Sequence, residues 1–302
     1  MNTLTDVKTI TPQDRLFDER FLRQLDQLVL VSKQARRGQM QGERRSLKRG
    51  QSVEFADYRQ YSRGDDFRLI DWNVFARLET LFLKLFVEEE DLTIHLLVDT
   101  SRSMDWGEPN KLKVARQLAG AMGYIALSGL DRVTASTISD KVELFPPHRG
   151  KQQAHTLFGF LQGLKTGGDA ELGTILTRYA QGARNPGPLL LISDLFDPTW
   201  QEGLRALLTR RFDITVLHVL SPEELNPTVV GDIRLKDIER GHELEITVDA
   251  AMLQRYEANL AAWQAELRQW CGARGISYAT LSSASPIEEI VLTLLRKQAI
   301  VR

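Results

Sequence analysis

Five consecutive residues, Asp99-Thr100-Ser101-Arg102-Ser103, put one carboxylate and two hydroxyls on alternate positions directly after an apolar run, Thr93 to Val98. Oxygen ligands spaced this way on a turn can converge on a hard cation, and Mg²⁺ favours such ligands while keeping several waters. A second apolar run, Leu189 to Ser193, ends the same way, in Asp194. In an open α/β sheet, ligands bind beyond the carboxyl ends of strands, where the strand order reverses. If the two strands are neighbours, Asp99 and Asp194 face one shallow crevice, a metal site short of protein ligands. The competing reading is structural, because Asp and Ser at a strand end also cap the helix that follows.

Two other chemistries compete with simple metal binding. A divalent cation beside Ser and Asp can support hydrolysis, so a metal-dependent phosphoesterase is the enzymatic alternative. No convincing general base accompanies the site. His95 lies inside a strand, and His148, His155, His218 and His242 are scattered without metal-ligand spacing. Ser101 stands where aspartate-based phosphatases carry a second Asp, and there is no Gly-x-x-x-x-Gly-Lys-Ser/Thr phosphate loop. Residues 33–49 form a basic, glycine-punctuated stretch in which Lys33, Arg36, Arg37, Arg44, Arg45, Lys48 and Arg49 face one acid, Glu43. That stretch is either a solvated loop or a surface for phosphates or an acidic partner. A formal net charge of −1 makes nucleic-acid binding the weakest of the three functions.

The elements that must position these residues follow from the apolar pattern. In a chain of 302 residues, 42% apolar and 26% charged, a sizeable buried core is expected. Thr11-Pro12 starts a helix expected over roughly 12–36, with Phe21, Leu25, Leu28 and Val29 on its apolar face. Residues 80–98 read as two strands separated by the acidic cluster Glu88 to Asp91. From there strand and helix alternate, which signals a mainly parallel sheet. A helix covers Lys111 to Ser128, and Val133–Ile138 with Val142–Phe145 make a hairpin at the sheet edge. Further strands are Leu189–Ser193, Ile214–Leu220 and Ile276–Leu281, and further helices start at Asp197-Pro198 and Ser221-Pro222-Glu223-Glu224. A long helix over about 250–271 carries Leu253, Tyr256, Leu260, Leu267 and Cys271, and Ser285-Pro286-Ile287-Glu288 has the form of a capping box. A hairpin insertion at about 226–249 interrupts the alternation. The single cysteine, Cys271, fits a reducing compartment and a buried structural role. With no signal peptide and no apolar run near the ~20 residues a bilayer requires, the expectation is a soluble, cytoplasmic chain.

Two motifs resemble known families. Asp99-x-Ser101-x-Ser103 with the later strand-end Asp194 is similar to the metal-ion-dependent adhesion site of von Willebrand factor A domains. The run from Tyr58 to Trp72, with Arg59, Arg63, Asp65, Asp66, Arg68 and Asp71, resembles the signature of the bacterial domain of unknown function 58 family. Ala76-Arg77, Lys84, Ser193-Asp194 and Asp237-Ile238-Glu239-Arg240-Gly241 continue that likeness, which spans about Gly50 to Tyr278. The resemblance implies an α/β von Willebrand factor A-like Rossmann fold, with a mostly parallel central sheet and helices on both faces. An N-terminal helix, basic loop and β-rich extension (1–90) would precede the A-like domain (91–302). Asp99, Ser101 and Ser103 would ligate Mg²⁺ or Mn²⁺, with Ca²⁺ a further candidate, and Asp194 would contribute directly or through water. The second loop of such sites normally supplies a threonine, whereas here it reads Thr166-Gly167-Gly168-Asp169, so Asp169 occupies the expected position, with Thr166 and Thr174 nearby. An added carboxylate would strengthen cation binding but leave the metal less attractive to a partner's acid. Members of the family are often encoded beside MoxR-class AAA+ ATPases and are thought to assist assembly or maturation. The resemblance therefore implies a non-enzymatic adaptor that binds such an ATPase or its client. Many relatives span membranes, while this sequence has no such span. The Arg/Asp-rich signature itself can lock an irregular segment through guanidinium–carboxylate pairs or present a partner surface.

Overall fold

All seven residues from Thr93 to Asp99 are buried, as are all six from Pro188 to Ser193. Continuous burial of this kind requires cover on both faces, which parallel strands obtain from flanking helices. The computed structural model describes residues 16–30, 53–88, 93–168, 171–236 and 243–301. The elements begin with α1 (Glu19–Leu25), β1 (Val53–Gln60), α2 (Trp72–Leu78), β2 (Phe82–Glu88), β3 (Thr93–Asp99), α3 (Lys111–Ser128), β4 (Arg132–Ile138), β5 (Leu144–Arg149) and α4 (Ala154–Gly163). They continue with α5 (Leu172–Gly182), β6 (Pro188–Ser193), α6 (Trp200–Thr209), β7 (Asp213–Leu220), α7 (Pro222–Leu225), β8 (Gly231–Lys236), β9 (Glu243–Val248), α8 (Ala250–Ala273), β10 (Ser277–Ser282) and α9 (Ile287–Glu289). The last helix passes into a π-turn over Ile290–Leu295. The chain forms two compact units, Met1–Gln34 with Leu92–Arg302, and Ala35–Asp91.

The larger unit is built on a six-stranded sheet in the order β10-β7-β6-β3-β4-β5. Every pairing is parallel except β4 with β5. Side chains of successive strand residues point to opposite faces, and the core divides accordingly. Leu96, Val98, Leu190, Ile192, Leu217 and Val219 pack with α1, α3, α4 and the C-terminal π-turn. Leu97, Leu189, Leu191, Ile214 and Val216 pack with α5, α6 and the C-terminal end of α8. Because β3 continues through α3 on one face and β6 through α6 on the other, the strand order reverses between them. Their carboxyl ends are therefore the place where ligands bind in open α/β sheets.

The hairpin of β4 and β5 lies at the sheet edge as the sequence pattern requires, with Pro146 and Pro147 on the outermost strand. Proline on an edge strand withholds a donor from any added strand. The insertion hairpin of β8 and β9 forms a separate two-stranded ribbon. Two expectations change. Within the described residues the N-terminal helix is one of seven residues, started by Asp18, whose side chain accepts from Phe21 N at 2.7 Å. The Thr11-Pro12 start and the basic stretch 33–49 lie outside the described residues. Ser285 makes no capping box: Pro286 itself occupies the cap position with no side-chain bond, and Ser285 N instead closes a turn onto Ser282 O.

The smaller unit is an antiparallel ribbon, β1 with β2, spanned by a 3₁₀ turn (Phe67–Leu69) and α2. Asp66 caps the turn through Arg68 N at 3.0 Å, and Asp71 caps α2 through Asn73 N at 2.9 Å. Among the described residues no helix is long and apolar enough to cross a membrane.

Candidate functional site

Asp99 is the last residue of β3, and Asp194 follows the last residue of the neighbouring β6. Sequence spacing put each at a strand end, and the sheet puts the two strands side by side. Asp99 is held by its own loop and by the next strand. Its Oδ1 accepts from Ser101 N at 2.9 Å, and its Oδ2 accepts from Ser193 Oγ at 2.5 Å. Ser101 Oγ lies 3.0 Å from Ser103 Oγ, so the two hydroxyls share one side of the loop with the carboxylate. Burial and the charge of Asp194 push the Asp99 carboxyl up to about 6, against the hydrogen bonds from Ser193 and Ser101 that lower it.

The second loop reaches this one through Gly167 N, which donates to Thr100 O at 2.8 Å. That contact brings Thr166 to within one residue of the Asp99 loop. Gly168 has φ 94°, and a Cβ there would meet Asp140 at 3.1 Å, so that position of the loop suits glycine on both counts. Asp169 lies outside the described residues. Thr174 is exposed on α5, its hydroxyl 3.4 Å from Glu171 Oε2, and takes no part.

Asp194 is engaged by a group that sequence reasoning missed. Lys111, the first residue of α3, is fully buried, and its Nζ donates to Asp194 Oδ2 at 2.8 Å and to Glu224 Oε1 at 2.5 Å. The ammonium also lies 5.0 Å from the ring centroid of Phe196, within cation–π range. Glu224 is fixed in turn. It closes a capping box with Ser221, and its carbonyl accepts from Tyr256 Oη of α8 at 2.8 Å. One signal was available: Lys111 stands one turn before Ala115 on the face that continues to Leu118 and Met122, all buried. A lysine at the head of an apolar stripe asks for a buried acid, but nothing local names Glu224, 113 residues away.

The two buried histidines, His95 and His218, are structural. His95 pairs Nδ1 with Tyr179 Oη at 2.7 Å and Nε2 with Asn185 O at 2.9 Å. His218, opposite Ser193 on β7, pairs Nδ1 with Tyr278 Oη at 2.6 Å and stands edge-on to Trp263. Burial holds both rings down at about 4. Cys271 is buried as expected, its thiol pushed up to about 11 by burial.

The Arg/Asp-rich signature resolves largely into local structure. Asp65 accepts from Arg59 at 2.7 Å and from Ser62 N at 2.8 Å, and these bonds hold its carboxyl below the usual range. Asp71 accepts from Tyr58 Oη at 2.8 Å as well as capping α2. Arg63, Arg68 and Trp72 are exposed, Trp72 by 61%.

A mostly parallel α/β sheet, carrying acids and hydroxyls at the strand ends where its order reverses, defines the class. The chain belongs to the family described as protein of unknown function DUF58, whose model matches residues 57–266. Uncharacterized proteins of Mycobacterium tuberculosis and Mycobacterium bovis are 28% identical to it over 273 residues, covering 87% of this chain and 86% of theirs. Among solved structures, the conserved hypothetical protein BatB of Bacteroides thetaiotaomicron aligns with TM-score 0.43 and 14% identity, over 69% of this chain and 98% of that one. An aerotolerance-related membrane protein of Bacteroides fragilis aligns with TM-score 0.40 and 15% identity, over 68% and 99%.

Proposed function

We propose that this chain is a non-enzymatic recognition module of the von Willebrand factor A type. In this reading Asp99, Ser101 and Ser103 hold a divalent cation of the Mg²⁺ class, and Asp194 contributes through water. The observation that carries the reading is the pair of hydroxyl oxygens 3.0 Å apart beside Asp99. In an octahedron with metal–oxygen distances near 2.1 Å, adjacent ligands stand about 3.0 Å apart. The donor set is hard oxygen throughout, which suits Mg²⁺ or Mn²⁺. Among the described residues no cluster of three or more His, Cys, Asp or Glu side chains is arranged to hold a metal. The site is accordingly one of hydroxyls and few carboxylates, with coordination positions left for water or a partner's acid.

Charge supports the same reading: Lys111 is shared between Asp194 and Glu224, whereas Asp99 is met by the Ser193 hydroxyl and the Ser101 amide, so a cation there finds a carboxylate whose charge Lys111 does not pair. Recognition is favoured over hydrolysis because His95 spends both ring nitrogens on Tyr179 and Asn185, and His218 is buried against Tyr278 and Trp263, so neither ring is free to serve a substrate as general base. The partner we propose is a MoxR-class AAA+ ATPase or its client, engaged in the cytoplasm. Calorimetry with Mn²⁺ tests the metal, comparing the wild type with Asp99→Ala after circular dichroism has matched their folds. Binding by the wild type alone supports the site, and binding by neither removes it. Capture of the purified ATPase that is lost with chelator and with Asp99→Ala supports the adaptor reading; capture indifferent to both refutes a metal-bridged contact.

A further inference from the structure

We infer that Lys111 is a tethered counter-cation that holds Asp194 out of direct metal ligation, and so sets how much positive charge the metal offers a partner. The inference rests on the metal reading above. Local chemistry argues against a lysine at this position. A buried ammonium loses its hydration, at an effective cost of several kcal/mol. The amino end of a helix, here one of 18 residues, also repels cations through the helix dipole. What retains the charge is its surroundings: Asp194 on one side, Glu224 on the other, and the Phe196 ring.

The consequence falls on Asp194. Its Oδ2 takes the lysine, and its Oδ1 accepts from Phe196 N at 3.3 Å. Both oxygens are engaged and the charge is paired, whereas Asp99 has only hydroxyl and amide donors around it. A cation at Asp99, Ser101 and Ser103 thus meets one unpaired carboxylate. It is held less tightly than by two, and keeps more charge with which to attract an outside acid. Glu224 anchors the lysine from the far side through α7 and Tyr256, so its position does not depend on the metal.

Mn²⁺ titrated calorimetrically into the full chain tests this with three proteins: wild type, Lys111→Met and Glu224→Gln. Lys111→Met releases Asp194 and is expected to bind Mn²⁺ at least about tenfold more tightly, since it removes one buried positive charge from the metal's surroundings. The gain should vanish when Asp194→Asn is added. Glu224→Gln keeps the capping box but leaves Lys111 wholly to Asp194, and is expected to bind several-fold more weakly. A lysine with a purely structural role would loosen the loop when removed and lower affinity, the opposite sign. A folded Lys111→Met that binds no more tightly than wild type overturns the inference while leaving the metal site standing. If Lys111→Met does not fold, Glu224→Gln decides, and unchanged or tighter binding overturns it. Absence of Mn²⁺ binding in the wild type removes the metal reading and this inference together.

Discussion

Asp99→Asn should make the metal-free protein more stable at neutral pH while abolishing its response to Mg²⁺. In the folded chain the Asp99 carboxyl titrates near 6, against an unfolded value of 3.8. A raised carboxyl binds its proton more tightly folded than unfolded, so its stabilising contribution is full below about 4 and lost as pH rises through about 6. The gap between those two values is equivalent to about 3 kcal/mol. Asparagine mimics the protonated acid: Oδ1 can still accept from Ser101 N, and Nδ2 can donate to Ser193 Oγ, which already accepts from Leu195 N.

The assay is urea unfolding in EDTA, read as the difference between the two proteins from pH 4 to 7.5. The comparison cancels groups common to both. The expected gap in favour of Asp99→Asn is near zero at pH 4 and rises to about 3 kcal/mol above pH 6.5. Adding Mg²⁺ at a hundred times its dissociation constant should return about 2.7 kcal/mol to the wild type alone, so the cation replaces the missing proton. If Asp99→Asn is the less stable protein at pH 7.5, or the gap does not shrink on acidification, the buried charge of Asp99 does not oppose folding and the reasoning fails.

His218, held near 4 when folded against 6.5 unfolded, contributes stability that is present above about 6.5 and lost as pH falls through 4. His218→Phe should flatten the acid limb of the stability curve by about 3 kcal/mol, with Tyr278 Oη still accepting from Thr280 Oγ1; an unchanged limb refutes it. Cys271 should resist a thiol reagent at pH 8 until the chain is unfolded, and native-state labelling at the rate of a free thiol would contradict its burial. Gly173→Ala sets a Cβ 2.8 Å from Thr199 O and 2.9 Å from Thr199 Oγ1, where α5 meets α6, and should cost about 1–3 kcal/mol in urea unfolding. A neutral result would mean that the two helices separate freely.

Legibility divides along a physical line. The site's loops were readable because a strand buried on both faces is a continuous apolar run, and Asp99 and Asp194 each interrupt one at its carboxyl end. The length of one long helix was readable too, but not what it covers. The helix over 250–271 is present as Ala250–Ala273, with Leu267 and Cys271 fully buried, yet Met252 and Tyr256 are 40% and 38% exposed. Twenty-four helical residues extend about 36 Å. The six residues of β10 extend about 20 Å, so the helix overhangs the strand it precedes whatever its apolar period.

The same limit hid Lys111. Periodicity ranks residues within one element, and by that measure a lysine at a helix start is a solvated end. Its burial is decided by Asp194 and Glu224, 83 and 113 residues away, which reach it because β6 and β7 are adjacent strands, Asp194 following one and Glu224 lying on the short helix after the other. A charge placed against both helix dipole and apolar stripe is the trace such a partnership leaves in a sequence. On that trace alone, Lys111 asks for a buried acid, but only the strand order says which one.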